Sequence, residues 1–289
     1  MSQLGCYYID LDRSLGEDFS EYEFNAEGIP LVRFHRQPNW QHNPITVSQY
    51  GLYHYNRYCR TQAPESRQLF LKLADWLVDQ AMPTSYGSLT WFYQVAMDFY
   101  RITPIWISGM AQAQAISLLL RAHQQTGDTK YLQTAQKAWP VLQLPVQQTG
   151  VLNRFPDERP IIEEYPSPFF LTGVLNGFIF AIFGVHDYAL YTETATARDF
   201  FDELIFSLQQ NLWRYDSGFW SYYDLKPPLR LASRCYHRLH IRQLQTLFEI
   251  SGTEIFKTYA ESWQRYATSR RCRIKWLCHK IRQKLLLRI

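Results

Sequence analysis

At 289 residues the chain is long enough for one large hydrophobic core, and its 46% hydrophobic and 19% charged residues exclude an intrinsically disordered protein. The net charge is +4, but residues 269–289 hold eight Lys and Arg residues and no Asp or Glu, so the rest of the chain is net acidic. No apolar run reaches about 18 residues, which excludes a membrane-spanning helix.

Two features of the sequence bear on where the protein works. The start Met1-Ser2-Gln3-Leu4 lacks a basic segment followed by an apolar one, so a cleaved signal peptide is not expected. The five cysteines are scattered and include no CxxC pair, which argues against a disulfide framework and against a zinc site. We therefore expect a cytoplasmic protein with reduced thiols.

Along the chain, residues 1–40 predict an irregular lead-in with one short extended piece around Gly28. After it, the spacing of apolar residues predicts eight helices separated by short breaks. Their expected ranges are 44–59, 65–81, 109–125, 129–142, 168–185, 194–212, 237–250 and 253–266. The stretches expected to be extended, as hairpins over one rim, are 89–95, 151–155 and 219–224.

These helices fall into four pairs, each with an apolar first helix and a more amphipathic second one. In an α/α toroid, inner helices touch neighbours on nearly every side while outer helices keep one face in water. The prediction is a mainly α fold, an α/α toroid of about four helical hairpins with short β-hairpin insertions, over residues 41–268. The lead-in 1–40 precedes it and a basic tail, 269–289, follows. A solenoid of helical repeats is the alternative.

Polar residues cluster at the starts of the four proposed inner helices. They are Asn43, Thr46, Ser48 and Gln49; Ser108, Gln112 and Gln114; Ser167, Thr172 and Asn176; and His237, His240 and Gln243. Inner helices of a toroid run in one direction, so these ends converge on one mouth, where free N–H groups suit a carboxylate-bearing ligand. Helix capping explains any one of these residues equally well, but four clusters at equivalent ends favour a site.

The sequence also contains residues suited to a metal site and to the carboxylate pair of a glycosidase. His237 and His240 share a helical face and suit a metal ion, but no third ligand stands at a useful spacing. A glycosidase needs a pair of carboxylates. The acidic residues available to such a pair are Glu163, Glu164, Asp216 and Asp224. No metal and no cofactor are expected.

Four motifs follow one another in a specific order. They are Trp106-Ile107-Ser108-Gly109-Met110-Ala111-Gln112, Glu163-Glu164-Tyr165-Pro166 with Val174-Leu175-Asn176-Gly177-Phe178, Tyr223-Asp224-Leu225, and Tyr236-His237 with His240-Ile241. This ordered set resembles the signature of D-glucuronyl C5-epimerases over roughly residues 40–268. The resemblance implies an α/α toroid that inverts C5 of glucuronic acid units within a polysaccharide, giving iduronic acid. Animal members carry a β-rich N-terminal region that this chain largely lacks.

The resemblance assigns the catalytic roles to three tyrosines, Tyr165, Tyr223 and Tyr236. The residues then expected to bind substrate are Trp106, Gln112, Arg154, Glu164, Asn176, Arg234, His237 and His240. A phenol has a reference pKa of about 10, so as a base it needs a nearby positive charge or hydrogen-bond donors. The enediolate that forms on the substrate also needs positive charge, for which Arg234 is the first candidate, followed by Arg154, His237 and His240. We expect Tyr165 on one face of the sugar ring and Tyr223 or Tyr236 on the other.

Three other activities stay open. A polysaccharide lyase removes the same proton and then expels the C4 substituent, a hydrolase releases reducing ends, and a glycan-binding module shows affinity alone. The expected partner is a uronic-acid-containing polysaccharide, and a homodimer stays open. No nucleic acid is expected, because no recognition module accompanies the basic charge.

The basic tail carries a second pattern. Ile274, Leu277, Ile281 and Leu285 fall near one helical face with basic residues around them, which is typical of a helix that lies on a membrane surface. A solvated or partner-bound helix explains the same pattern equally well.

Overall fold

The computed structural model describes residues 3–11, 22–34 and 39–286, and its helices form an α/α toroid. Within these ranges the α-helices are α1 (Pro44–Thr61), α2 (Pro64–Asp79), α3 (Gly109–Thr126), α4 (Thr129–Ala138), α5 (Leu175–Thr192), α6 (Ala195–Asn211), α7 (Arg234–Ser251), α8 (Glu254–Thr268) and α9 (Arg270–Leu286). The first eight pack as four consecutive hairpins, and α3 also packs against α1 and α5 while α5 contacts α7. The predicted toroid is confirmed, with α1, α3, α5 and α7 as its inner helices.

Short antiparallel strands join the helices. The strands are β1 (Glu23–Phe24), β2 (Pro30–Val32) and β3 (Gln41–His42) in one sheet, and the pairs β4 (Met82–Pro83) with β5 (Leu89–Thr90), β6 (Phe92–Tyr93) with β7 (Trp106–Ile107), and β8 (Leu152–Arg154) with β9 (Pro160–Ile162). Strands β3 and β7 lead directly into α1 and α3. The extended stretches predicted around Gly28 and at 89–95 and 151–155 are present, whereas 219–224 makes isolated bridges only.

Small residues let the inner helices approach closely. A Cβ at Gly184 of α5 would lie 2.5 Å from the carbonyl oxygen of Ala113 in α3, so only glycine allows this contact. Every side chain from Gly109 to Ala122 of α3 is buried, because the helix is surrounded by neighbours. Burial on all sides is what the toroid predicts for an inner helix.

The third inner helix was predicted to start at Pro168, and that boundary is wrong, because α5 starts at Leu175. The Glu163 carboxylate accepts hydrogen bonds from the backbone N–H groups of Thr172 and Gly173, both at 2.9 Å. Gly173 also takes a positive φ of 56°. These contacts hold residues before Val174 out of the helix.

The lead-in contributes to the core. Leu4, Tyr7, Ile9 and Leu11 are buried, in a segment that packs on the later turns of α1, α3 and α5. The side chain of Asn56 pairs with the backbone of Tyr7, accepting from its N–H at 2.6 Å and donating to its carbonyl at 3.1 Å. The lead-in residues 1–2, 12–21 and 35–38 lie outside the described residues.

A buried ion pair joins two inner helices beside this segment. Arg121 of α3 donates to both carboxylate oxygens of Asp187 in α5, at 2.5 and 3.1 Å, and both side chains are 1% exposed. The Tyr8 hydroxyl donates to the same carboxylate at 2.8 Å. We call Tyr7, Tyr8, Asn56, Arg121 and Asp187 the closed end of the toroid, which lies roughly 18 Å along the inner helices from their first turns.

Candidate active site

The first turns of all four inner helices line one cavity of about 180 Å³ at the other end of the toroid, which we call the mouth cavity. Its lining residues are Tyr22, Asn43, Ile45, Thr46, Gln49, Met110, Glu164, Tyr165, Asn176, Phe180, Tyr236 and Leu239. The convergence of helix starts that the polar clusters predicted is therefore observed. Not every member of those clusters reaches the cavity.

Local capping fixes three of these helix starts. The Asn43 side chain accepts from the N–H of Ile45 at 3.0 Å, and Ser108 and Ser233 accept from the N–H groups of the first turns of α3 and α7. Val174, at the cap of α5, has no side-chain acceptor. The N–H of Leu175 donates to the carbonyl of Tyr223 at 3.1 Å. The N–H groups of Asn176 and Gly177 have no acceptor among the described residues, so they are the ones suited to receive an anionic ligand.

The three predicted tyrosines lie together at this end. Tyr165 and Tyr236 line the mouth cavity, and the ring of Tyr223 packs edge-on against Tyr236 with 4.9 Å between centroids. Tyr236 is 37% exposed, so the group is open to solvent on that side. Burial, reinforced by Glu164 and by the neighbouring phenols, raises the pKa of both Tyr165 and Tyr223 well above the usual value.

Glu164 is the acidic group of the cavity. Its side chain is buried, and Oε2 has no hydrogen-bond partner within the described part of the chain. Burial raises the pKa of Glu164 to about 7; a hydrogen bond with Tyr165 opposes this effect, and the charges of Glu163 and Asp224 add to it. A Cβ at Gly177 in the first turn of α5 would lie 2.4 Å from Oε2, so a glycine is required there.

The adjacent Glu163 has a different environment. Its carboxylate accepts four hydrogen bonds, from Thr172 N–H and Oγ1, Gly173 N–H and Asn153 Nδ2, at 2.5–3.2 Å. Burial nevertheless raises its pKa. Because Glu163 is committed to holding this loop, it does not form with Glu164 the free carboxylate pair considered for a glycosidase.

A network of Tyr100, Asp224 and Arg230 packs against the tyrosines, and sequence reasoning did not predict it. The Tyr100 ring stacks on Tyr165 with 4.7 Å between centroids, and its hydroxyl donates to Asp224 at 2.8 Å. Arg230 bonds to the same Asp224 carboxylate and to the Tyr100 hydroxyl, and its guanidinium lies 5.4 Å from the Tyr223 ring centroid. Asp224 belongs to a recognised motif, but no spacing in the sequence connects Tyr100 or Arg230 to it.

His237 and His240 lie behind the cavity, fully buried. The Nδ1 atom of each contacts Ser221 Oγ, at 2.7 and 2.9 Å, and His237 Nε2 contacts the carbonyl of Trp263. Burial lowers the pKa of His237 to about 4 and that of His240 well below its usual value, so both rings are neutral at pH 7. In this position they support the segment that carries Tyr223.

Three other predicted substrate-binding residues have distinct places. Asn176 lines the mouth cavity, and none of the residues that the structure describes forms a hydrogen bond with its Oδ1. Trp106 donates to the carbonyl of Val95 at 2.7 Å and presents its ring to Tyr165 at 5.7 Å. Gln112 is buried and binds protein atoms, including the carbonyl of Ala138 at 2.9 Å.

The two predicted arginines lie away from the mouth cavity lining. Arg154 of β8 is exposed, donates to the carbonyl of Glu158, and borders a separate cavity of about 450 Å³. Arg234, at the start of α7, is exposed with its guanidinium 5.0 Å from the ring centroid of Trp276. Arg230, and not Arg234, is the cation that packs on one of the three tyrosines. Among the described residues no group of three or more His, Cys, Asp or Glu is arranged to hold a metal ion.

Comparison with known families agrees with the motifs. A family profile described as the D-glucuronyl C5-epimerase C-terminus matches residues 85–265. The chain belongs to this family. An uncharacterised protein of Methanocaldococcus jannaschii is 30% identical over 70% of the chain and 69% of its own length. The D-glucuronyl C5-epimerase of Caenorhabditis elegans is 29% identical over 71% of the chain but only 36% of its own length.

Solved structures share the fold of this family member at low sequence identity. An unsaturated glucuronyl hydrolase of Bacillus sp. GL1 aligns with a TM-score of 0.54 and 16% identity, over 77% of this chain and 61% of its own. An α-mannanase of Bacteroides thetaiotaomicron aligns with a TM-score of 0.55 and 10% identity, over 86% and 63%. These similarities establish the toroid. Family membership itself indicates a carbohydrate-active enzyme.

Proposed function

We propose that the mouth cavity epimerises uronic acid units of a polysaccharide, inverting C5 of D-glucuronic acid to give L-iduronic acid. The observation that carries the proposal is the meeting of Tyr165, Tyr236 and Glu164 around one cavity at the starts of four inner helices. The epimerase family match and the nematode epimerase support the same reaction.

The first requirement of this reaction is a place for negative charge. Removal of the proton at C5, which is alpha to the carboxylate, moves an electron pair onto the carboxylate oxygens and forms an enediolate. The uncapped first turn of α5 offers free N–H groups there, and Asn176 offers a side-chain amide beside them. Such preorganised donors stabilise developing charge in a site that water does not fill.

The second requirement is a base. A neutral phenol with a raised pKa is a poor base by itself, but Tyr165 lines the cavity together with Glu164, whose pKa of about 7 suits a proton acceptor at neutral pH. In our proposal the Tyr165 oxygen takes the C5 proton while its own hydroxyl proton passes to the Glu164 carboxylate. No isolated phenolate is then needed on this face.

The third requirement is an acid on the opposite face. In our proposal Tyr236, which lines the same cavity as Tyr165, donates its hydroxyl proton to C5, which returns the enediolate to a carboxylate. The transient Tyr236 phenolate lies against Tyr223, which has the Arg230 guanidinium 5.4 Å from its ring. Solvent returns a proton to Tyr236, which is partly exposed, and Glu164 releases the proton that it accepted, so both groups regain their starting states.

The size of the cavity bears on the substrate. About 180 Å³ is smaller than the roughly 300–1,000 Å³ typical of ligand pockets, and so suits a single sugar ring. The neighbouring sugar units of a polymer must then lie outside the cavity, on the surface of the protein around its opening. We propose a uronic-acid-containing polysaccharide as the substrate.

The test is proton exchange at C5, followed by NMR in deuterated solvent with a panel of glucuronate-containing polymers. We expect exchange by the wild-type chain and a loss of about 10²–10⁴-fold in Tyr165→Phe and in Tyr236→Phe. Tyr131→Phe, which alters a tyrosine bonded to Asp75 away from the cavity, is the matched control and should retain full exchange.

Full exchange by both cavity variants would refute the assigned tyrosine roles. Two side measurements separate the other reaction classes. An unsaturated uronide that absorbs in the ultraviolet would show a lyase, and new reducing ends without exchange at C5 would show a hydrolase. Either product in place of exchange overturns the epimerase proposal.

A further inference from the structure

The basic C-terminal helix α9 is docked on the toroid by one face only. Trp276 donates to the carbonyl of Ala232 at 2.9 Å and packs on Trp220 with 5.6 Å between centroids. Lys280, one turn further along, donates to the carbonyl of Leu231, and Gln283 donates to that of Leu229. The helix is therefore held in a fixed orientation next to the segment that leads into α7.

The opposite face of α9 is apolar and open. Ile274, Leu277 and Ile281 are 54%, 49% and 53% exposed. At about 100° per residue, Ile274 and Ile281 fall about 20° apart and roughly opposite Trp276, so these side chains form one outward stripe. The Leu285 side chain of the predicted stripe lies outside the described residues. The docking of α9 leaves this outward stripe uncovered by the described residues of the chain.

Basic side chains border the outward stripe on both edges. Arg273 lies on one edge and Arg271 and Arg282 on the other, while Arg270 continues the line of the stripe one turn before Ile274. All four side chains are exposed. Residues 269–289 contain eight Lys and Arg residues and no Asp or Glu. An apolar stripe with cations at both edges matches the boundary between the acyl chains and the anionic headgroups of a lipid surface.

The same features disfavour two other occupants. A second copy packed stripe to stripe would bring two sets of arginines together with no acidic residue in the tail to pair with them. An acidic polysaccharide would satisfy the arginines but would leave the isoleucines and leucine in water. None of the described helices is long and apolar enough to cross a membrane, so the contact would be peripheral.

We propose that α9 binds the surface of a membrane rich in anionic phospholipid, with Ile274, Leu277 and Ile281 inserted among the headgroups. Because Trp276 and Lys280 fix the helix against residues 231–232, the bound protein would hold the segment that leads into α7 one helix diameter, about 10 Å, from the lipid. The inference is independent of the proposed reaction.

The experiment is flotation of the full chain with vesicles of phosphatidylcholine alone and of phosphatidylcholine with phosphatidylglycerol. The wild type should float with the anionic vesicles only, and raised salt should weaken the binding. The triple variant Ile274→Ser, Leu277→Ser, Ile281→Ser should lose at least 10-fold in the bound fraction. The matched control is Leu190→Ser, Phe206→Ser, Trp213→Ser, which removes three exposed apolar side chains elsewhere and should float like the wild type.

Circular dichroism and melting temperature verify that both triple variants are folded. The proposal is overturned if the wild type does not float with anionic vesicles, or if the stripe variant floats as well as the wild type. Binding to dextran sulfate without flotation would identify α9 as a polyanion-binding helix instead. A dimer in sedimentation that dissociates in the stripe variant, again without flotation, would identify a second copy as the occupant.

Discussion

Asp187 at the closed end and Glu164 at the mouth cavity are both buried carboxylates, but they differ in their hydrogen-bond partners. At the closed end both oxygens of Asp187 accept hydrogen bonds from Arg121, and Tyr8 adds a third. At the mouth cavity Glu164 is 4% exposed, and its Oε2 has no partner among the described residues.

This difference in partners suits Asp187 to a structural role and Glu164 to a role in proton transfer. The carboxylate of Asp187, paired with Arg121, joins two helices. The buried carboxyl of Glu164, which has fewer partners, keeps its proton to a higher pH and can exchange it near neutral pH. The mouth cavity thus retains a buried carboxyl group, Glu164, whose hydrogen bonding is incomplete within the described residues. Residues held in this way mark functional sites more often than structural ones.

The largest expected effect tests the closed end. Asp187→Asn leaves Arg121 charged, buried and uncompensated, which should lower the free energy of unfolding by about 3–5 kcal/mol. Urea denaturation of the variant and the wild type measures this change in the free energy of unfolding. The double variant Arg121→Met, Asp187→Leu removes both charges and should recover most of the loss. A single variant as stable as the wild type would mean that the ion pair does not hold α3 to α5.

The next effect tests the mouth cavity through pH. The pKa of Glu164 is raised to about 7 in the folded protein, so the folded state binds a proton that the unfolded state releases near pH 4.5. Stability contributed by this group is therefore full below pH 4.5 and is lost as pH rises to 7. Glu164→Gln should remove that slope, which amounts to on the order of 2–3 kcal/mol between pH 4.5 and 8.

Denaturation of both proteins at several pH values, with Asp187 intact in each, measures this difference. Equal pH slopes would show that Glu164 does not titrate with a raised pKa. Glu164→Gln should also reduce C5 exchange sharply, since the variant cannot accept the proton from Tyr165.

A third prediction compares two glycines of α5. Gly177→Ala places a Cβ 2.4 Å from Glu164 Oε2, and Gly184→Ala places one 2.5 Å from the Ala113 carbonyl oxygen. Both should cost about 1–3 kcal/mol of stability through overpacking. Only Gly177→Ala should abolish C5 exchange beyond what its stability loss explains. Equal residual exchange in the two variants would contradict the role of the Glu164 position.

The smallest expected effect returns to the closed end. Tyr8→Phe removes one of the hydrogen bonds to Asp187 and the contact with His186, while Arg121 still binds the carboxylate. The loss should be about 1 kcal/mol, measured as a shift of the urea midpoint. A loss as large as that of Asp187→Asn would show that the lead-in, and not the ion pair, holds this end together.

The sequence by itself determined the helices, their pairing into a toroid, the family and the three tyrosines. These depend on local signals: apolar spacing at 3.6 residues, caps such as Asn43 and Ser108, and short ordered motifs. Convergence of four helix starts on one mouth also followed, because inner helices of a toroid run in one direction. The roles proposed for the tyrosines remain predictions.

Only the tertiary structure decided which of two adjacent residues faces the mouth cavity and which binds the protein interior. Glu163 and Glu164 are adjacent, yet successive side chains of an extended segment point to opposite sides, so one clamps a loop and the other faces the cavity. Arg230 reaches Tyr100 across 130 residues, and Tyr8 reaches Asp187 across 179, and no local pattern encodes either contact. Contacts of this kind depend on how the elements pack, and that arrangement exists only once the chain has folded.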